Sequence, residues 1–114
     1  MDMLSIISTK VAQLEPLGIS IDQIKQKIAE GEFLYLKYVR VGEEYRFCEV
    51  SDHYGCSHKR LLREGEIPTG AAFLNIHPDG LFVEGYSSTL NMGDAPGDQE
   101  NFCKIFNLPL KERW

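Results

Sequence analysis

The stretch "FLYLKYVRVGEEYRFCEV", residues 33–50, is dense in aromatic and β-branched side chains and is interrupted once, by Gly42 and Glu43. Those residue types suit a pleated, half-buried surface, and a glycine between two such runs marks a turn. The segment therefore reads as an antiparallel hairpin. Side chains alternate between the faces of a strand, so Phe33, Tyr35, Val39 and Val41 share one face of the first run while Leu34, Leu36 and Tyr38 share the other. Both faces are largely apolar. Such a strand is central in its sheet, or is covered on its second face by helices or another subunit.

Working outward, "AAFLNIHPDGLFVEGY" (residues 71–86) places Pro78, Asp79 and Gly80 between apolar runs. Proline presets φ, aspartate bonds to nearby backbone, and glycine is expected to take a positive φ, giving a second hairpin. Gly85 reads as a bulge. "SSTLN" (87–91) reads as an exposed edge strand, and with Met92 it looks too polar to supply a second layer over the sheet.

Upstream, Leu4, Ile7, Val11 and Leu14 recur at helical spacing, and "EPLG" (15–18) stops that segment. Ser20 and Gln23 form a capping-box pair ahead of Ile21, Ile24 and Ile28, and Gly31 closes the second helix. Downstream, Asp98 is placed to cap a last helix carrying Phe102, Ile105 and Phe106, which Leu108-Pro109 ends. One helical turn is expected within Ser57 to Arg63. The expectation is an α+β fold in one domain over residues 1–114: an N-terminal helical hairpin, an antiparallel sheet of about four strands built from two hairpins, and a C-terminal helix.

"LGISIDQIKQKI" (17–28) resembles the helix entry of mercury-resistance-type transcription regulators. The resemblance covers that capped, isoleucine-spaced segment alone, with no basic recognition helix beside it. Twelve basic against seventeen acidic side chains give a net charge of −5, and the one basic run is "HKRLLR" (58–63). Nucleic-acid binding depends on a basic face that displaces counterions, so nucleic acid is not expected as a partner. No stretch approaches the apolar length of a membrane span, and Asp2 stands where a secretory signal carries positive charge. The reading is a soluble, cytoplasmic, acidic protein whose three cysteines, an odd number, are reduced thiols.

"CEVSDHYGCSHKR" (48–60) gathers the residues with most chemistry. Cys48, His53, Cys56 and His58 would offer a zinc ion two thiolates and two imidazoles, though their spacing lacks the paired knuckle of common structural sites. Cys56 beside His53 or His58 would be a thiol nucleophile with a base, and Lys59 and Arg60 would lower its pKa. The blander account makes Cys48 a small core residue and the histidines loop residues, with no cofactor. No phosphate-binding glycine loop is present, and Asp94, Asp98 and Glu100 do not match a calcium loop.

The aromatic content of the strands remains. Tyrosine offers a large contact area with a polar tip and is enriched at interfaces. The sequence therefore reads as a non-catalytic protein-binding module of inhibitor, immunity, chaperone or adaptor type. Its partner-binding anchors would be Tyr35, Tyr38 and Tyr45, its partner a protein or a second copy of the chain in a homodimer. A metal- or thiol-dependent activity centred on residues 48–58 is the alternative.

Overall fold

The computed structural model of the chain describes residues 18–50 and 57–111. The helix expected over residues 4–14 lies outside that range, as do His53 and Cys56.

Four strands form one antiparallel sheet: β1 (Leu34–Val41), β2 (Glu44–Glu49), β3 (Gly70–His77) and β4 (Gly80–Glu84), in the order β2-β1-β3-β4. The strand with two apolar faces is thus central. Gly42 begins the β1–β2 loop at φ +62°, a conformation that costs other residues a clash at Cβ. The β3–β4 turn departs from expectation. His77 pairs with Gly80 across Pro78-Asp79, yet Gly80 is not among the glycines with positive φ. Glycine is required there for space: a Cβ would lie 2.8 Å from the Lys111 Cβ and 3.0 Å from the Pro109 carbonyl oxygen.

Helices α1 (Ile21–Ala29) and α2 (Asp98–Phe106) cover one face of the sheet. The capping box at α1 is formed, with Gln23 N–H donating to Ser20 Oγ at 3.1 Å and Ser20 N–H to Gln23 Oε1 at 2.9 Å. Its far end closes as the sequence suggested. Gly31 adopts φ +80°, its N–H reaches the Ile28 carbonyl, and the Glu32 N–H reaches that of Lys27. Under the helices, Ile24, Phe102 and Phe106 pack on Leu36, Tyr38, Phe47, Leu74 and Ile76, all buried. Removing such area from water supplies roughly 1.5–3 kcal/mol per large side chain, and the ring pairs Tyr38–Phe102 and Phe47–Phe102 add edge and tilted contacts.

The second face has its own cover. A 3₁₀ turn (His58–Leu61) and a short ribbon of β5 (Tyr86–Ser87) and β6 (Met92–Gly93) lie against it. Leu61, Leu62, Leu90 and Met92 pack on Val39, Val41, Cys48 and Ala71. This corrects the expectation that "SSTLNM" is too polar for a second layer, because two apolar side chains at a tight turn suffice over so small an area. Gly85 adopts φ +85° between β4 and β5, and a Cβ there would come within 2.7 Å of the Phe73 ring.

Both edges of the sheet are engaged by chain that follows or precedes the helices. Ile19 donates its N–H to the Phe47 carbonyl on β2 at 2.8 Å. On β4, Leu81 pairs with Leu110 through two backbone bonds of 3.0 and 2.8 Å, and the Gln99 side chain accepts the Val83 N–H at 2.9 Å.

Candidate functional site

Among the described residues, the second face is not covered end to end. Beyond the 3₁₀ turn, the parity of β1 and β3 brings Phe33, Tyr35, Phe73 and His77 to the same side. Phe33 stacks on His77 with ring centroids 4.4 Å apart, and Tyr35 stacks on Phe73 at 5.4 Å. Phe33 is 70% exposed and Tyr35 44%. Lys37 and Glu84 flank Phe73 on the neighbouring strands.

His58 bounds this strip. Its imidazole is buried, meets the Phe73 ring edge-on at 5.2 Å, and donates Nε2–H to the Ala72 carbonyl at 2.7 Å. A carbonyl only accepts, so the proton sits on Nε2. Burial pushes the His58 pKa down; the Ala72 bond partly offsets this, and the Lys37 cation adds to it.

Tyr38 and Tyr45 point the other way. Tyr38 is fully buried beneath α2 and gives its hydroxyl to Asp98 Oδ2 at 2.7 Å. Tyr45, half-buried on β2, gives its hydroxyl to Asp98 Oδ1 at 2.8 Å and accepts from Asn101 Nδ2 at 2.8 Å. Arg40 Nη1 at 3.0 Å and the Ala95 N–H at 2.7 Å complete the set around Asp98, whose side chain is wholly buried. Burial first, then the bond to Asp98, raises the Tyr38 pKa; burial also raises that of Tyr45. These hydroxyls are held protonated as donors, which suits a structural clasp and not a nucleophile.

Of the three tyrosines expected to anchor a partner, only Tyr35 presents its ring on this strip. Tyr38 has no exposed surface, and the even–odd alternation of β1 puts it on the opposite face from Tyr35. Asp98 is also corrected: Gly97, at φ +86°, occupies the N-cap position of α2, and the Asp98 carboxylate turns inward.

The cysteine and histidine cluster is described at Cys48 and His58 alone. Cys48 is buried and disulfide-bonded, while Cys103 on α2 is a free thiol. The expectation that all three thiols are reduced is overturned at Cys48. His58 Nε2 is occupied by Ala72. Among the described residues no group of three or more His, Cys, Asp or Glu side chains could hold a metal ion, and no helix is long and apolar enough to cross a membrane.

The chain matches no family model, no curated protein and no solved structure. What it can do rests on its own surface chemistry. Phe33, which the sequence analysis left out of the site, was reachable from it because it shares strand parity with Tyr35; Phe73 joins them only through the β1–β3 register.

Proposed function

We propose that this chain is a non-catalytic protein-binding module that works by self-association through the strip formed by Phe33, Tyr35 and Phe73. The observation that carries the reading is the pair of stacked aromatic couples on a sheet face that the 3₁₀ turn and the β5–β6 ribbon leave open. Aromatic side chains give large contact area with few rotors to freeze, and they dominate binding energy where they cluster. A two-fold contact needs a patch complementary to itself. Lys37 and Glu84, on either side of Phe73, give this one charges of both signs.

Sedimentation equilibrium over a wide range of protein concentration tests the reading. The expected result is a dimer mass that falls to the monomer in the Phe33→Ser/Tyr35→Ser double variant, whose melting temperature stays close to that of the unaltered protein because both rings are exposed. A monomer mass at every concentration would overturn it.

A further inference from the structure

A cavity of about 520 Å³ opens at the β2 edge, between the start of α1 and the 3₁₀ turn. That volume is within the usual range for small-molecule sites. Its wall combines three arginines, Arg46, Arg60 and Arg63, with apolar surface from Ile19, Tyr45 and Leu61. The arginines differ in state. Arg46 is held by both oxygens of Glu66 at 2.6 and 2.7 Å, by Glu44, and by the Leu61 carbonyl. Arg60 and Arg63 are exposed, and neither guanidinium forms a hydrogen bond or ion pair among the described residues.

In a chain of net charge −5, two guanidiniums without an ion pair among the described residues border an apolar cleft and form a local exception, although Arg63 lies close enough to Glu66 to help lower its pKa. The opposing charges in the wall are Asp22, on the first turn of α1, and Glu44, already engaged by Arg46. The end of α1 contributes little, since Ser20 satisfies the Gln23 N–H. Attraction for an anion therefore falls to Arg60 and Arg63. A guanidinium presents paired N–H donors in a plane that matches a carboxylate or a phosphate, and the apolar walls offer contact area to the rest of a ligand.

We infer that this cleft binds a small molecule in which an oxyanion, carboxylate or phosphate, is joined to an apolar ring or chain. The oxyanion sits between Arg60 and Arg63, and the apolar body lies against Ile19, Tyr45 and Leu61. The site is on the other side of β2 from the aromatic strip and does not depend on self-association.

Titration of the full ¹⁵N-labelled chain with phenyl phosphate and, separately, with phenylacetate tests the inference. Saturating amide shifts are expected at Ile19 to Gln23 and Tyr45 to Phe47, with the tighter of the two probes identifying the anion class. The Arg60→Ala/Arg63→Ala variant should melt with the unaltered protein and bind about tenfold more weakly or worse, and the double lysine variant should recover part of the loss. Rising salt should weaken binding. No saturation by either probe below about 10 mM, an unchanged affinity in the alanine variant, or equal binding of neutral benzyl alcohol would overturn it.

Discussion

Replacing Asp98 by asparagine keeps the shape of the side chain and removes its ability to accept on both ends. Four donors converge on the two carboxylate oxygens: Tyr38 O–H and Ala95 N–H on Oδ2, Arg40 Nη1–H and Tyr45 O–H on Oδ1. If the amide oxygen takes the Oδ2 position, the new NH2 group faces Arg40 and a Tyr45 oxygen already accepting from Asn101. If it takes the Oδ1 position, the NH2 faces the Ala95 N–H. In either orientation a buried donor meets a donor. An orphaned buried donor costs about 1–3 kcal/mol, and losing the carboxylate's charge weakens the bonds that remain, so Asp98→Asn should destabilise by about 3–4 kcal/mol. For a domain of this size about 4 °C of melting temperature follows each kcal/mol, which predicts a fall of about 12–16 °C. Urea unfolding followed by far-ultraviolet circular dichroism measures the loss directly, and Asp94→Asn on the same loop but exposed serves as the control. Tyr38→Phe should cost about 1 kcal/mol alone and less in the asparagine background, because its partner oxygen is already compromised. An Asp98→Asn variant within about 0.5 kcal/mol of the unaltered protein would refute the view that this carboxylate clasps α2 to the sheet.

Gly80→Ala should destabilise by about 1–3 kcal/mol through collision of its Cβ with Lys111 and Pro109, and exchange of the Leu81 and Lys111 amides should quicken as the C-terminal segment lifts from β4. The Arg46 guanidinium lowers the Glu66 pKa from its ordinary 4.5 to about 2. A depressed carboxylate adds stability that is complete above its unfolded value and lost as pH falls through the folded one. Acid unfolding between those limits should accordingly flatten in Glu66→Gln. His58 has the same sign by a different route: its lowered pKa means the unfolded chain binds the proton more readily. Stability should hold above pH 6.5 and decline below it, and a His58→Gln variant should lose less between pH 7.5 and 5.5 in parallel urea titrations.

Strand parity and local capping made much of this fold legible. The alternation in residues 33–50 marked β1 as a strand covered on both faces, a central position being one of the ways, and Ser20, Gln23 and Gly31 declared both ends of α1, because those signals depend on backbone geometry within a few residues. What escaped was non-local. Nothing near Asp98 says that its carboxylate will meet Tyr38, sixty positions away in sequence, when a cap was the local alternative. Gly80 shows the same limit: its glycine answers to Lys111 and Pro109, not to the turn. For the candidate site, parity separated Tyr35 from Tyr38 before any coordinates, whereas exposure of Phe33 depended on where the short ribbon of residues 86–93 comes to rest.

The closure of β4 by Leu110 has a consequence for the order in which the chain becomes safe from its neighbours. During synthesis the sheet's central pairings become available once Glu84 has emerged, but the outer amide and carbonyl of Leu81 stay unmatched until residues 109–111 follow. For that interval the nascent hairpin is a template for another strand, the situation from which cross-β aggregates grow. Truncation before Pro109 would make the interval permanent. Such a shortened chain should seed fibrils that bind thioflavin T, even with every buried residue of the main core still in place.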